Sequence, residues 1–470
     1  MNNSKFLTLT TVFFFWGFLA ASNGIFVPFC KSHFQLSQFQ SQLIEFSFYV
    51  AYFVGSLLLF AYQQIAKIDL LNHIGYKAGI IYGLIVSAVG ALLMIAALHS
   101  GIYWLILGAL FVICLGFSLQ QTCGQPFAIA LGDPKSGSQR LNFAGGINSV
   151  GTTIGPLVIG YLLFGSLGNL NVTVDIAAVD KLYILLSVLF LGVAFFLYTA
   201  DLPRVEHDEP VELGTGALKY PQLTLGMLAI FVYVGVEVTI QSNLGALLAL
   251  PEFGSYDKSQ IAPFISLYWG GLMIGRLTYA TALFKVDHAM RSAVSLLLPF
   301  CIFGLILGIN WIAGYDINKL LVYFIPIIIV VAAIFISDNK PSRSLFIFSI
   351  LGIIAMIIGM NTTGKVAVFA FVSGGLACSV MWPCIFTLAI TGLGKYTSQG
   401  SAFLIMMILG GGIIPPFQGW LADIFGIHQS YFITIFLFGY LALYAIIAKK
   451  VLRAQDANFE KEEPKLNDSF

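Results

Sequence analysis

PQLTLGMLAIFVYVGVEVTIQSNLGALLAL, residues 221–250, runs thirty positions with one charged side chain, Glu237, near its middle. About 20 apolar residues cross the hydrocarbon core of a bilayer as a helix, so this stretch reads as a membrane span. An acid kept inside a span is costly and by default marks a functional site. A second lone acid, Glu45, sits in LIEFSFYVAYF, residues 43–53.

The rest of the chain follows the same pattern. Of 470 residues 58% are hydrophobic and only 10% charged, which excludes a soluble domain. The apolar runs are continuous rather than alternating, which favours helices over a barrel. Fourteen spans are predicted, near 6–29, 39–62, 78–98, 102–131, 141–165, 181–201, 221–250, 260–283, 292–313, 319–337, 344–360, 365–391, 401–423 and 429–448. The expected fold is an all-α polytopic membrane protein. A net charge of +1 argues against a nucleic-acid partner. The first apolar run is too long for a cleavable signal. The six cysteines show neither metal spacing nor a disulfide framework.

Lysine and arginine orient the spans. With the N-terminus inside, only Lys31, Lys181, Lys258, Lys319 and Lys365 of the 23 basic residues fall outside. That bias predicts cytoplasmic termini in a cytoplasmic, inner membrane. The expected division is a six-helix bundle over 1–201, a cytoplasmic linker over 202–220, a second bundle over 221–450 and a cytoplasmic tail over 451–470. A proline repeat supports two related bundles. Pro126 and Pro156 in the first match Pro383 and Pro415 in the second, and Gly160-Tyr161-Leu162 matches Gly419-Trp420-Leu421. Eight spans follow the linker, so a helix pair within 292–360 is surplus. Its expected members, 319–337 and 344–360, are almost wholly apolar, with no acid, amide or histidine inside either span. They should form a hairpin outside the core.

Polar residues share faces at helical spacing: Gln38, Gln42, Glu45, Tyr49 and Tyr52; Tyr233, Glu237 and Gln241; Ser118, Gln121 and Gln125. Asn142, Asn148, Ser149, Thr152 and Thr153 add a fifth-span face, and Trp16 and Asn23 a first-span one. Amides and acids pair with hydroxyls while aromatic faces stack on C–H surfaces, the chemistry of a sugar site. The bland alternative for any single amide is helix–helix glue. Asn23, Gln121, Gln125, Asn148, Glu237 and Gln241 are the candidate sugar hydrogen-bonders. Trp16, Trp269 and Trp382 are the stacking candidates, and Glu45 and Glu237 the coupling acids. Lys77 and Arg276 are assigned to cytoplasmic gates. No nucleophile–base or metal constellation points to an enzyme.

Several stretches carry a resemblance: Phe14-Phe15-Trp16 with Asn23 and Pro28, FYVAYFVGS, Tyr76-Lys77-Ala78-Gly79-Ile80, QPFAIALGDP with Arg140-Leu141-Asn142 and Asn148-Ser149, Tyr233-Val234-Gly235, Gly275-Arg276, and WPCIFTLAITGLGKYTSQGSAFLIMMILGGGIIPP. With these the chain resembles the fucose–proton symporter family of the major facilitator superfamily, and GLGKYTSQGS is more similar to its glucose/galactose branch. The resemblance implies a 6+6 helix core, here with an extra pair, and alternating access. It implies secondary active uptake of a monosaccharide, an aldohexose such as glucose or galactose. Fucose or amino-sugar transport and a non-translocating sugar sensor are the alternatives. The family acids of the first and fourth spans are replaced here by Gly24 and Gln121, and a family glutamine by Gly145. Coupling to a proton or sodium then falls to Glu45 or Glu237. No other cofactor is expected. The partners are the sugar and the lipid bilayer, and the protein is expected to be a monomer.

Overall fold

The computed structural model describes residues 3–20, 30, 34–36, 38–67, 70–164, 176–204, 214–256, 258–283 and 287–455. Among the described residues there are helices, turns and no strand. A bilayer dictates this, because a helix satisfies its backbone donors and acceptors within one segment.

The first six long helices are α1 (Asn3–Ala20), α2 (Gln38–Ala66), α3 (Tyr76–Ser100), α4 (Tyr103–Ala130), α5 (Gly137–Phe164) and α6 (Ile176–Thr199). There follow α7 (Pro221–Leu248), α8 (Lys258–Ala280), α9 (His288–Ile312), α10 (Ile317–Ser337, opening as a 3-10 helix) and α11 (Pro341–Asn361). Last come α12 (Gly364–Ile390), α13 (Gly394–Phe425) and α14 (Ile427–Ala454). Eleven of these, α2–α4, α6, α7 and α9–α14, carry stretches long and apolar enough to cross a membrane. The chain is an integral membrane protein.

Packing places the helices in two corresponding sets. In the first, α3 packs on α4 and α6, and α1 on α5. In the second, α11 packs on α12 and α14, and α7 on α13 and α14. Helix α11 thus takes the place that α3 holds in the first set. This corrects the expected peripheral hairpin of 319–337 with 344–360. The 341–361 helix buries Ser344, Leu345, Phe348, Ser349, Gly352 and Met356, and Gly352 lets the Phe438 ring of α14 lie against its backbone. The outlying helices are α9 and α10, which pack on α8, α11 and each other. Leu297, Leu305, Trp311 and Ile312 of α9 are exposed. The α10–α11 turn is tight because Asp338 and Asn339 both adopt positive φ, 53° each, which short polar side chains tolerate better than branched ones.

The two sets meet through α5 with α8 and α12, and through α13 with α2 and α4. Two of the bonds across this interface lie at one end of the molecule. There Tyr76 Oη and Ser398 Oγ are 3.2 Å apart, and Gln139 Nε2 donates to the Asn339 carbonyl at 2.8 Å. The chain between the sets is pinned at the same end. Gln64 of α2 and Gln399 of α13 both donate to the Gly214 carbonyl, at 3.1 and 2.9 Å.

Candidate functional site

Between the two sets lies a cavity of about 260 Å³. Its walls are Phe13 and Trp16 of α1, Phe48, Tyr49 and Tyr52 of α2, Gln121 and Gln125 of α4, and Gly145 and Asn148 of α5, with Tyr183 of α6. The opposite wall is Tyr233 and Glu237 of α7, Trp269 and Arg276 of α8, Trp382 of α12 and Ile408 of α13. Helices α3, α9, α10, α11 and α14 supply none of its lining residues. The volume falls just below the ~300 Å³ at which drug-sized pockets begin, which suits a small polar solute.

Among the described residues, one wall is neutral. Gln121 Nε2 donates to Tyr52 Oη at 3.0 Å. Asn148 Nδ2 donates to the Phe13 carbonyl at 3.0 Å, tying α5 to α1. Trp16 Nε1 donates to Gln120 Oε1 at 2.8 Å, and Gln120 Nε2 continues to Ser87 Oγ at 3.1 Å. The indole donor is therefore used behind the wall, leaving its ring to the cavity. Gln125 also lines the space, with 5% of its surface exposed.

The other wall is charged. Glu237 Oε1 accepts from Tyr233 Oη at 2.8 Å and from Arg276 Nη2 at 3.3 Å, with both charged side chains about an eighth exposed. Tyr268 Oη donates to the Glu237 carbonyl at 2.7 Å. The guanidinium is anchored further by Nε to the Ser379 carbonyl at 3.2 Å and by Nη1 to Ser149 Oγ at 3.2 Å. The Ser379 carbonyl is available for a local reason. Its helical partner would be the N–H of residue 383, which is Pro383 and has none. Here α12 breaks between Gly374–Cys378 and Met381–Ile390. Gly275 lets α8 approach this break, since a Cβ there would collide with Ser379 Oγ.

The placement of the sequence candidates is therefore mixed. Gln121, Gln125, Asn148, Glu237, Trp16, Trp269 and Trp382 are brought together around one cavity. Gln241 is not among its lining residues, and Asn243 nearby donates to Gln418 Oε1 at 2.6 Å. Asn23 lies outside the described residues, as does the Glu45 side chain. Arg276, assigned from sequence to a cytoplasmic gate, lies in the cavity as the counterion of Glu237. Lys77 bonds within the first set, donating to the Tyr198 and Ala200 carbonyls at 3.0 and 2.7 Å, so it closes the end of α6. Tyr52 was legible as a member of the Glu45 face but not as the partner of Gln121. Ser379 carried no side-chain signal, although Pro383 four residues on marks its carbonyl.

The profile of the Major Facilitator Superfamily matches residues 7–339. A glucose/galactose transporter of Brucella abortus is 34% identical over 446 residues, covering 94% of this chain and 93% of that protein. The L-fucose-proton symporter of Escherichia coli is 26% identical, covering 90% of this chain and 87% of that protein. The crystal structure of the major facilitator superfamily transporter FucP in the outward conformation matches with a TM-score of 0.71 at 24% identity, covering 94% and 98% of the two chains. By profile, relatives and fold, the chain belongs to the major facilitator superfamily and, within it, to the family of glucose/galactose transporters and fucose–proton symporters.

Proposed function

We propose that this protein takes up a monosaccharide, an aldohexose such as glucose or galactose, by proton-coupled symport with alternating access. It is a transporter and not an enzyme. The observation that carries the reading is the cavity itself. It is small, central and built from both helix sets, with amides and the Trp16 indole on one side and an ion pair with the Trp269 and Trp382 indoles on the other. Amides and phenols supply the paired donors and acceptors that hydroxyls need, and the indoles supply faces for a pyranose ring. A neutral sugar needs no ion to bind. An ion pair at membrane depth has a second use, and a carboxylate that can take a proton provides it.

In this reading the sets are the bundles 1–201 and 221–450, joined by the linker 202–220 and followed by the tail 451–470. The chain makes fourteen spans, with α9 and α10 added to a twelve-helix core. The bias of lysine and arginine puts both termini in the cytoplasm of a bacterial inner membrane. The end closed by Tyr76–Ser398 and Gln139–Asn339 is then the cytoplasmic gate. The protein works as a monomer in the bilayer.

Counterflow in proteoliposomes tests the function. Vesicles loaded with unlabelled glucose, galactose, fucose or glucosamine are diluted into the labelled sugar, with and without an imposed proton gradient. Rapid exchange of glucose or galactose, and gradient-driven accumulation that a protonophore collapses, is the expected result. Exchange of fucose or glucosamine alone would move the substrate class. Binding without exchange would indicate a sensor.

A further inference from the structure

Arg276 is the one charged cavity residue, among those described, that bonds to both helix sets. It rises from α8, bonds Glu237 and Tyr233 of α7 and the Ser379 carbonyl of α12, and reaches Ser149 of α5. Helix α5 is shaped to receive it. A Cβ placed on Gly145 would lie 3.4 Å from Arg276 Cδ and 3.7 Å from Nε, in van der Waals contact, so the arginine stem lies directly against residue 145. The next residue is packed more tightly, because a Cβ on Gly146 would collide with Leu277. Two consecutive glycines thus accept two consecutive side chains of α8. One turn on, Ser149 supplies an acceptor to the guanidinium at 3.2 Å. The contact bridges the two sets at the side of the cavity, whose lining continues past it to Leu141 of α5 and Pro383 of α12.

We infer that Gly145 and Ser149 form a receiving notch for Arg276, and that this contact couples the charge state of Glu237 to the joining of the two helix sets beside the cavity. The inference rests on the alternating-access reading above. With Glu237 ionised, the carboxylate holds the guanidinium where it meets Ser149, and the two sets stay joined there. When Glu237 takes a proton, the guanidinium keeps only neutral acceptors at membrane depth: Ser149 Oγ, Tyr233 Oη and the Ser379 carbonyl. A charge so placed draws water or sugar hydroxyls toward itself, and the notch contact gives way. The other titratable groups facing Glu237 are Tyr233 on its own helix, Tyr268 on α8 and Cys378 on α12. Arg276 is the only cation among them. Gly145 and Ser149 are therefore positioning residues. They set where the arginine stands and contribute no charge.

The test needs a readout that does not depend on sugar. Five of the six cysteines are buried and Cys301 is exposed, so a Cys301→Ser background permits labelling at introduced sites. Spin labels at Lys135→Cys and Arg343→Cys span the closed end between the two sets. Electron-electron distances at neutral pH should be dominated by one short population. Gly145→Leu, which fills the notch, and Ser149→Ala, which removes its acceptor, should each shift the distribution toward longer distances, and Ser149→Thr should restore the short one. In proteoliposomes the same two variants should lose gradient-driven accumulation by about tenfold, the scale set by one hydrogen bond to a charged group, with counterflow KM changed less. If Gly145→Leu fails to fold, Ser149→Ala carries the test. An unaltered distance distribution in a folded Ser149→Ala protein would overturn the notch. Absence of sugar counterflow in the unsubstituted protein would overturn the transport reading instead, so the two failures are told apart.

Discussion

The α1–α6 wall and the α7–α8 wall of the cavity solve the same problem with different chemistry. Across the first, an amide faces a phenol, Gln121 to Tyr52. In the second, a carboxylate faces a phenol, Glu237 to Tyr233, with Arg276 added as counterion. A neutral pair can recognise a hydroxyl but cannot change its charge. The charged pair can do both. A proton-linked carrier needs only one titrating group to tie its cycle to a gradient, and in the proposed reading Glu237 of the second set is that group. The lesson is that recognition and coupling can be assigned to opposite walls of one small cavity.

The largest expected effect comes from breaking the charged wall unevenly. Arg276→Leu leaves the Glu237 carboxylate buried without a cation. Losing one partner of a buried ion pair costs about 3–5 kcal/mol. Thermal unfolding in detergent should show a marked fall in stability, and counterflow should be lost. Glu237→Gln with Arg276→Gln removes both charges together and should recover most of the stability while accumulation stays absent. Equal instability in the double variant would mean that packing, not charge, dominates there.

Adding a charge to the neutral wall should have the next largest effect. Gln121→Glu gives the first set an ionisable group beside Tyr52. Counterflow should then show a stronger pH dependence than in the unsubstituted protein, and Gly24→Asp alongside it should strengthen the change further. A pH profile unchanged in a folded, active variant would count against the idea that the amide is what makes this wall neutral.

A smaller change is expected from Tyr52→Phe. It removes one neutral hydrogen bond, worth about 0.5–1.5 kcal/mol, so the sugar KM in counterflow should rise roughly two- to tenfold. The smallest effect belongs to the outlying pair. Leu297→Ala or Ile328→Ala, on the exposed faces of α9 and α10, should leave sugar affinity unaltered, and a shift in KM would place these helices nearer the path than their packing does.

Much of this arrangement was legible before any coordinates. Long apolar runs gave the helices, and the spacing of Tyr233 and Glu237 gave one face of the site. Gln121, Gln125 and Asn148 were readable in the same way. What stayed hidden was partnership between helices. Glu237 and Arg276 are 39 residues apart, and nothing in either span announces the other. Arg276 falls near the end of its span, where basic residues ordinarily meet water, and so it reads as a gate. Its burial depends on Gly275 bringing α8 close to the break at Ser379, a three-body arrangement that periodicity cannot express. The α11 misreading has a different cause. Apolar composition does not separate a lipid-facing helix from a packed one. The useful signal was the small residues Ser342, Ser349, Gly352 and Gly359, all buried in α11. Small residues let helices approach closely. The span of α10, FIPIIIVVAAIFIS over 324–337, offers no comparable glycine or serine stripe.

The central claim is that Glu237 carries the coupling proton while sugar recognition is shared with the neutral wall. The most direct measurement is proton influx on adding galactose or glucose to proteoliposomes with a pH-sensitive dye inside, comparing the unsubstituted protein with Glu237→Gln. The expected result is sugar-triggered acidification of the lumen in the unsubstituted protein and none in Glu237→Gln, with labelled-sugar counterflow still measurable in the variant. Acidification of equal size in Glu237→Gln would contradict the claim and place the proton on another group.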